Sequence, residues 1–289
     1  MSDRRYDAIL LDLDGTLVDD AGRIPARTLE RLRNLHGRGV KVMIATGRSE
    51  GGTLDVLDQL GLDTPAVVFN GAGIWCPVER RLIEERLLAD AVVRDLVRWT
   101  AENDMLPVVI GAGAKVCLAP RNEFEERAIR YFHDLRVVPA EEVSAENVIR
   151  VTVFSALQAS SGDLRRAIVA HLGRPVYVTD FPLRWLVQHR DSPLLVADVQ
   201  PPCRGKAEGL RYLQERYGIP PERVVAVGDA TNDVPMLEAA GLGIAMRNSM
   251  PEALAAADRI IGDNNSDALA ALIDELFPSS LIQSRCTGA

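Results

Sequence analysis

The sequence is poor in cysteine and has no surplus of positive charge, and each shortage argues against particular classes of protein. Its 289 residues include 4 cysteines, Cys76, Cys117, Cys203 and Cys286, and none of them forms a CxxC pair. This usage argues against a disulfide framework or a zinc site and predicts reduced thiols in a cytoplasmic protein. The formal net charge of −8 argues against a general nucleic-acid-binding protein, which needs a basic face.

Long apolar runs are also missing. The N-terminal apolar stretch, residues 8–11, is cut short by Asp12 and Asp14, so we do not expect a signal peptide. No apolar run approaches the roughly 20 residues that cross a bilayer, and no run of lysine and arginine suggests an anionic membrane surface. We therefore expect no membrane partner. With 47% hydrophobic and 26% charged residues, the composition is that of a globular protein with one large domain or two ordinary ones.

In the first and last parts of the chain, patterns typical of strands and of helices alternate. Apolar runs that suit buried strands are followed by stretches with apolar residues at helical spacing, several of which end at glycine. The predicted strands are residues 6–13, 40–45, 66–69, 224–227, 242–245 and 259–261, and the predicted helices begin at residues 25, 49, 206, 234, 251 and 266. This alternation predicts an α/β fold with an open, Rossmann-like parallel sheet.

The middle of the chain shows a different pattern. Two apolar runs flank Gly111-Ala112-Gly113 and predict a hairpin. The other predicted elements are helices at 122–134 and 162–172 and strands at 148–154, 175–178, 185–188 and 194–199. We therefore predict that a mixed α+β domain, residues 81–198, interrupts a discontinuous α/β domain formed by residues 1–80 and 199–278. Residues 279–289 are small and polar and are predicted to be a disordered tail.

Two aspartates, Asp12 and Asp14, stand at the end of the first predicted strand. Side chains at positions i and i+2 share a face, so both carboxylates can reach one site, and Gly15 lets the backbone turn sharply around a ligand. One carboxylate is suited to attack phosphorus while the other passes a proton to the leaving oxygen. An Asp-rich turn without a function has the same pattern. An EF-hand calcium loop is excluded. Gly15 does not stand at the position where that loop needs glycine, and Arg23 stands where it needs a glutamate.

Thr46-Gly47-Arg48 follows the second predicted strand and is predicted to open a helix. The free N–H groups of a helix start suit a phosphate oxygen, together with the Thr46 hydroxyl, although an ordinary N-cap threonine has the same pattern. Lys206 is predicted at another helix start, where its charge opposes the helix dipole unless an anion binds there. A solvated lysine is the alternative.

A fourth segment, residues 228–233, joins a predicted strand to a predicted helix. Asp229 suits Mg²⁺, which prefers oxygen ligands and keeps several waters. Asn232 and Asp233 can orient a metal-bound water or a phosphate oxygen, and N-capping by either of them is the alternative. Because parallel sheets collect functional groups at the carboxyl ends of their strands, we expect the four segments to form one site.

Taken together, the four segments resemble the motifs of the haloacid dehalogenase-like superfamily. The matching residues are Asp12-Leu13-Asp14-Gly15-Thr16-Leu17, Ala45-Thr46-Gly47-Arg48, Lys206 and Gly228-Asp229-x-x-Asn232-Asp233-x-x-Met236-Leu237. The turn Asn70-Gly71-Ala72 and the phrase Ala-Gly-Leu-Gly-Ile-Ala-Met at residues 240–246 are similar to those of its Cof-type hydrolases. The resemblance covers residues 6–277 and implies that residues 81–198 form a large α/β cap domain that selects the substrate.

The resemblance also implies an activity, the Mg²⁺-dependent hydrolysis of a small phosphorylated metabolite such as a sugar phosphate or a phosphoglycerate-type ester. Asp12 would be the nucleophile that forms an aspartyl-phosphate, and Asp14 would be the general acid and then the base. The implied Mg²⁺ ligands are the Asp12 carboxylate, the Asp14 backbone carbonyl and Asp229, with Asp233 supporting the metal site. The implied phosphate-binding residues are Thr46, Gly47, Lys206 and Asn232.

Two other functions stay open from the sequence. The first is phosphoryl transfer of the kind that phosphomannomutases carry out, because relatives with similar caps do this. The second is a phospho-aspartate switch without enzymatic activity, which also uses acidic residues, threonine and lysine on a parallel sheet but needs no cap.

The chain departs from the family pattern at Ala207 and Arg247, where glycine is frequent, and at Arg184–Leu194, which is longer than usual. None of these departures removes a catalytic group. We expect a monomer or a homodimer.

Overall fold

The structure, a computed structural model, describes residues 5–111 and 114–278. Contacts between residues divide the chain into two compact units. The first unit contains the described residues up to Glu84 and from Arg204 onward, and the second contains Glu85–Cys203. The first unit is therefore built from two separate parts of the sequence.

The helices and strands follow one another in this order along the chain. The N-terminal part of the first unit contains β1 (Ala8–Leu11), α1 (Ala26–Gly37), β2 (Lys41–Ile44), α2 (Leu54–Leu60), β3 (Ala66–Val68) and β4 (Gly73–Cys76), and β5 (Arg81–Glu85) runs to its boundary. The second unit contains α3 (Asp90–Glu102), β6 (Leu106–Gly111), β7 (Ala114–Cys117), α4 (Glu123–Ile129), β8 (Leu135–Val137), β9 (Val148–Ser155), α5 (Ser161–Leu172), β10 (Tyr177–Pro182) and β11 (Leu195–Gln200). The first unit continues with α6 (Glu208–Tyr217), β12 (Val224–Gly228), α7 (Val234–Ala239), β13 (Leu242–Ala245), α8 (Pro251–Ala256), β14 (Arg259–Ile260) and α9 (Ala268–Leu276).

A parallel sheet with the strand order β14-β13-β12-β1-β2 forms the core of the first unit. Leu11 lies opposite Val227 on one side and Ile44 on the other. A single bridge between Ala45 and Val67 connects this sheet to β3, which pairs with β4 in a second sheet that also contains β5. Every residue of β1 and β12 is buried, as expected for central strands covered on both faces. The predicted α/β fold with a parallel core is confirmed.

The neighbouring strands β1 and β12 position the residues that follow them. β1 ends at Leu11 and β12 ends at Gly228, so Asp12 and Asp229 emerge side by side at the carboxyl edge of the sheet. Side chains of α6, α7 and α8 pack with alternate residues of β1, β2 and β12 in one hydrophobic cluster. This packing places the starts of α6 and α7 near the same edge.

The second unit contains a sheet with the strand order β10-β11-β9-β6-β7-β8. Neighbouring strands are antiparallel, except that β7 and β8 are parallel. One face of this sheet packs against the apolar side chains of α3 and α5. The unit is therefore the mixed α+β assembly that the sequence predicts for the middle of the chain.

In the middle of the chain, one predicted strand is wrong and one helix was not predicted. The strand predicted at 185–188 does not form, and two short 3-10 turns, Leu183–Trp185 and Val187–His189, stand there. Trp185 and Leu186 are exposed, so their apolar character marks no buried strand. The sequence analysis also assigned no element to 90–102, where the structure has α3.

The helix predicted from residue 49 begins only at Leu54. Gly51 and Gly52 disfavour helix because glycine loses the most conformational freedom there. Turns take their place, and the Thr53 hydroxyl donates a hydrogen bond to the Ser49 carbonyl. The segment after β2 is therefore a loop.

The predicted hairpin is confirmed, because β6 and β7 pair with Ile110 opposite Lys115. Its residues Ala112 and Gly113, and the predicted tail 279–289, lie outside the described residues.

Cys76 and Cys117 are buried free thiols. Within the described ranges, we find no helix with the length and apolarity that a membrane span requires.

Candidate active site

Four of the predicted residues meet at the carboxyl edge of the parallel sheet. Asp12 follows β1 and Asp229 follows β12, while Lys206 and Asp233 lie in short 3-10 turns just before α6 and α7. The exposed fractions of Asp12, Lys206 and Asp233 are only 4%, 2% and 0%. Buried charged groups are rare unless they are paired or bind a ligand. Their contacts therefore decide what this site can do.

Three carboxylates form a cluster in this site. Oxygen atoms of Asp12, Asp229 and Asp233 all lie within 4.8 Å of one another. Carboxylates this close repel one another unless positive charge lies between them. The oxygen donor set therefore fits a hard metal ion.

Asp233 holds the loop after β12 in place. Its Oδ2 accepts hydrogen bonds from the backbone N–H groups of Asp229 and Ala230, each at 2.9 Å. A side chain on Gly228 would collide with Asp233, since an ideal Cβ would lie 2.5 Å from the Asp233 Cβ. Asp233 occupies the N-cap position of α7, but its side chain makes no cap hydrogen bond to that helix; it fixes the preceding loop and belongs to the carboxylate cluster.

Lys206 bridges two of the carboxylates. Its Nζ donates hydrogen bonds to Oδ1 of Asp12 and to Oδ1 of Asp233, both at 2.6 Å. An isolated ammonium group is very costly to bury, and two carboxylates offset that cost. Lys206 is 2% exposed and pairs with two carboxylates, so the solvated alternative is wrong.

The electrostatics of the cluster leave an excess of negative charge. Burial raises the pKa of Asp12 well above its ordinary value, the nearby Asp233 raises it further, and Lys206 lowers it. Burial and then Asp233 raise the pKa of Asp229 to about 6. Burial alone would lower the pKa of Lys206, but Asp12 and Asp233 outweigh it, so the pKa is raised and the lysine stays charged. One lysine thus faces three carboxyl groups, and a further cation would relieve their repulsion.

Gly15 and Thr16 connect the first loop to Asp229. Gly15 has a φ of +81°, and a Cβ on it would lie 2.4 Å from Asp229 Oδ2. The Thr16 hydroxyl donates a hydrogen bond of 3.1 Å to Asp229 Oδ1. Thr16 belongs to the first motif, but the sequence alone gives it no role. A hydroxyl directly after a glycine turn beside two aspartates was the available signal.

Asp14 does not join the carboxylate cluster. Its side chain is 60% exposed and is held by Arg48, whose Nε donates to Oδ2 at 2.9 Å and whose Nη2 donates to Oδ1 at 2.5 Å. Arg48 also donates to the carbonyl of Gly52 at 3.0 Å. The sequence alone gives Arg48 no role, because its partner Asp14 lies 34 positions away and no local pattern indicates that contact. The two-point contact fixes the direction of the Asp14 carboxylate.

A second group of predicted residues gathers around Asn70. The Asn232 Nδ2 donates a hydrogen bond of 2.9 Å to Asn70 Oδ1, and a Cβ on Gly47 would lie 3.0 Å from that same oxygen. Asn70 is buried, with a φ of +49°. The buried Thr46 hydroxyl accepts a hydrogen bond of 3.1 Å from the N–H of Arg48. Asn70 thus links two predicted phosphate-binding residues, a connection that no local pattern shows.

One part of the argument for Thr46 and Gly47 is wrong. We expected a helix start there, with free N–H groups and the dipole available to a phosphate, but α2 begins only at Leu54. Thr46 is therefore no N-cap, and its hydroxyl closes a turn to Arg48. Phosphate binding by these residues stays a prediction that rests on the loop alone.

The site combines the groups that phosphoryl transfer needs. It holds a buried carboxylate, a buried ammonium beside it, a carboxylate cluster that fits a metal ion, and a second acid held at the rim. A carboxylate and a phosphate repel each other unless positive charge lies between them, and here Lys206 supplies one positive charge.

Comparison with known proteins agrees with this chemistry. The family model of the haloacid dehalogenase-like hydrolases matches residues 9–273. The 5-amino-6-(5-phospho-D-ribitylamino)uracil phosphatase YitU of Bacillus subtilis is 30% identical over 278 residues, which are 93% of this chain and 97% of that protein. The pyridoxal phosphate phosphatase YbhA of Escherichia coli is 27% identical over 274 residues, which are 92% of this chain and 96% of that protein.

A solved structure is similar in fold over the same length. The phosphatase BT1666 of Bacteroides thetaiotaomicron, from the haloalkanoate superfamily, matches with a TM-score of 0.78 at 22% identity, over 94% of this chain and 95% of that one. At this identity the match supports the fold alone, and the family model and the sequence relatives carry the assignment. The chain therefore belongs to the haloacid dehalogenase-like hydrolases, in the Cof-type group of phosphatases that its motifs predict.

Proposed function

We propose that this phosphatase uses Mg²⁺ to hydrolyse a small phosphorylated metabolite, a sugar phosphate or a phosphoglycerate-type ester, through an aspartyl-phosphate on Asp12. The contact between Asp12 and Lys206 beside the cluster of Asp229 and Asp233 carries the proposal. Two of the relatives are named for small phosphorylated molecules, pyridoxal phosphate and a phosphoribitylamino-uracil, which supports a substrate of that size.

The metal site is assigned to the carboxylates of Asp12 and Asp229. Asp233 already uses Oδ2 for two backbone N–H groups and Oδ1 for Lys206, so it supports the site from behind. The Asp14 backbone carbonyl completes the set that the family resemblance implies. When bound, Mg²⁺ supplies positive charge that reduces repulsion between the phosphate and the attacking carboxylate.

Asp12 is the nucleophile in the proposed first step. A carboxylate oxygen of Asp12 forms a bond to phosphorus, the bond from phosphorus to the ester oxygen breaks, and Asp14 gives its proton to that leaving oxygen. Lys206 is already within hydrogen-bond distance of Asp12 and stays charged, so it offsets negative charge throughout. Arg48 orients the Asp14 carboxylate before the reaction; for this step Asp14 takes up a proton from solvent on one oxygen, which gives up its bond to Arg48, while the other oxygen keeps its bond.

Water completes the reaction in the second step. Asp14, now a carboxylate, takes a proton from a water molecule whose oxygen attacks phosphorus. The bond between phosphorus and Asp12 breaks, which releases inorganic phosphate and restores the Asp12 carboxylate. Thr46, Gly47, Lys206 and Asn232 are the proposed phosphate-binding residues.

We further propose that the α+β unit is the substrate-specificity cap, with residues 1–80 and 199–278 as the catalytic core. The net charge of −8 supports a metabolite as partner, and nucleic acid and membranes are not proposed as partners. The buried free thiols Cys76 and Cys117 support a cytoplasmic location, and we propose a monomer or a homodimer.

The decisive experiment measures phosphate release from a panel of phosphorylated metabolites, with Mg²⁺ and with chelator. Asp12→Asn is the test variant, and Asp55→Asn, an exposed aspartate on α2, is the matched control. We expect Mg²⁺-dependent release by the wild type and the control, and a loss of at least about a thousandfold in Asp12→Asn, because the attacking group is gone.

The other outcomes are equally informative. Full activity in Asp12→Asn would remove Asp12 from the reaction. Transfer of the phosphoryl group between hexose phosphates, with no free phosphate, would favour the mutase reaction over hydrolysis. An aspartyl-phosphate that persists for minutes without turnover would favour a switch.

A further inference from the structure

One loop, Met246–Met250, contacts both of the loops that carry the metal-site carboxylates. On the side of β12, its backbone N–H groups donate hydrogen bonds to the carbonyls of Gly228 (from Met246, 3.2 Å) and Asp229 (from Met250, 2.8 Å). The loop after β13 is thereby fixed to the loop that presents Asp229.

On the side of β1, the contact is made by a side chain. The Asn248 Nδ2 donates a hydrogen bond of 2.9 Å to the carbonyl of Gly15. Gly15 is the residue whose missing side chain allows the first loop to lie against the Asp229 carboxylate, and Thr16 then donates to that carboxylate. Asn248 therefore acts on the point where the two metal-site loops touch.

Asn264 holds Asn248 in this orientation. The backbone N–H of Asn264 donates to Asn248 Oδ1 at 3.2 Å, which leaves the Asn248 Nδ2 pointing to Gly15. The Asn264 side chain, 5% exposed, donates in turn to the carbonyl of Val18 at 3.0 Å and to Asp20 Oδ1 at 3.2 Å. The first loop is thus held at Gly15 and again at Val18 by two linked asparagines.

We propose that Asn248 is a positioning residue for the metal site. It raises the affinity for the metal ion by holding the first loop against Asp229, and Asn264 supports Asn248 in this role. The inference rests on the proposed metal-dependent function, since it concerns the same carboxylates. Asn248 touches neither the carboxylates nor Lys206 through any hydrogen bond recorded for the described residues. Its effect must therefore pass through the backbone of Gly15.

A positioning role and a purely structural role make different predictions. If Asn248 only stabilised the fold, its loss would lower the melting temperature and leave the metal affinity of the folded protein unchanged. If it sets the gap between the first loop and Asp229, its loss weakens metal binding while the metal-free protein stays folded. Asn248 is exposed, so its truncation leaves no cavity.

The test is calorimetric titration of the metal-free protein with Mg²⁺, and with Mn²⁺ as a second probe, for wild type and Asn248→Ala. Asn103→Ala is the matched control, because the Asn103 Nδ2 donates a bond of similar length, 2.8 Å, to the carbonyl of Trp99 in the second unit. We expect the Kd for Mg²⁺ to rise about threefold to tenfold in Asn248→Ala, the loss of one ordinary hydrogen bond expressed as affinity. The control should bind as the wild type does.

Each remaining outcome decides a separate point. Wild-type affinity in Asn248→Ala would overturn the inference while leaving the metal site intact. If the wild type itself binds neither Mg²⁺ nor Mn²⁺, the proposed metal-dependent function fails first. Asn264→Ala keeps the backbone N–H that contacts Asn248 and loses the side-chain bonds to Val18 and Asp20, so it tests the second hold on the first loop separately. We expect it to weaken Mg²⁺ binding in the same direction as Asn248→Ala; wild-type affinity in Asn264→Ala would show that the hold at Val18 does not act on the metal site.

Discussion

Arg48 holds Asp14 by two parallel hydrogen bonds, one to each carboxylate oxygen, although 34 positions separate them in the sequence. The pair lies at the rim of the site, and the proposed nucleophile Asp12 is buried with Lys206. Two aspartates that are neighbours in the sequence thus sit in different surroundings. Asp12 is paired with the buried Lys206, and Asp14 is paired with Arg48 near solvent.

Loss of this pairing should slow the reaction. We expect Arg48→Gln to lower kcat roughly tenfold to a hundredfold with little change in KM, because the proton donor is no longer held in one orientation. Arg48→Lys should recover only part of the loss, since a lysine cannot make the two-point contact. Steady-state kinetics on the best substrate of the panel measure both. Arg23→Gln removes an exposed arginine–aspartate pair outside the site and should leave kcat unchanged; a wild-type kcat in Arg48→Gln contradicts the positioning role.

Lys206 should matter for stability as well as for catalysis. Lys206→Met leaves Asp12 and Asp233 buried without their counter-charge, so we expect the free energy of unfolding of the metal-free protein to fall by about 3–5 kcal/mol at pH 8. The deficit should shrink at pH 5, because burial raises the pKa of Asp12 well above its ordinary value and its carboxyl group gives up its charge more readily there. Urea denaturation at both pH values measures it.

The matched control is Lys41→Met, which removes a lysine that lies over the ring of Tyr217. Such a contact is worth about 0.5–1 kcal/mol at an exposed site. If the two lysine variants lose the same free energy of unfolding, the pairing of Lys206 stabilises the fold no more than an ordinary surface contact does.

The sequence was sufficient for the fold class and for the chemistry at the strand ends. Asp12 and Asp229 directly follow apolar runs, and the parallel arrangement of such runs brings their ends together whatever lies between them. Contacts across long sequence separations were not predictable from local patterns. The bond between Lys206 and Asp12 joins residues 194 positions apart, and the helix-start argument for that lysine missed its partners.

Predictions from local sequence patterns were wrong where glycine or tertiary contacts determined the backbone conformation. The helix predicted from residue 49 was lost to Gly51 and Gly52, and with it the helix-dipole argument for Thr46. Asn70 takes a left-handed conformation that lets its side chain meet Asn232, and nothing in its immediate sequence indicates that partner. Functional contacts of this kind become visible only in the folded chain.

Metal binding should depend on pH through Asp229. Its pKa is raised from the ordinary 3.8 to about 6 by burial and by Asp233, so the folded metal-free protein binds this proton more tightly than the unfolded chain does. For this group, the stability of the metal-free protein increases as the pH falls from above 6 towards 4. A cation competes with the same proton, so we expect Mg²⁺ affinity to fall as the pH drops through about 6.

Calorimetric titrations at pH 5, 6, 7 and 8 measure this dependence. Thr16→Val provides a matched variant, because the Thr16 hydroxyl bond lowers the pKa of Asp229 and its loss should move the midpoint to higher pH. An affinity that is the same at pH 5 and pH 7 would falsify the assignment of Asp229 as the proton competitor.

Gly15 offers a test of close approach between the two metal-site loops. Gly15→Ala introduces two penalties, a side chain at a φ of +81° and a Cβ that would lie 2.4 Å from Asp229 Oδ2. Gly22 has a similar φ of +74° and open space around its Cβ position, so Gly22→Ala carries only the backbone penalty of about 1 kcal/mol. We expect Gly22→Ala to lose about that much stability in urea denaturation and Gly15→Ala to lose more, and only Gly15→Ala to lose Mg²⁺ binding and turnover. If the two variants bind Mg²⁺ equally, the first loop and Asp229 do not need to touch, and the site tolerates a wider gap than the structure shows.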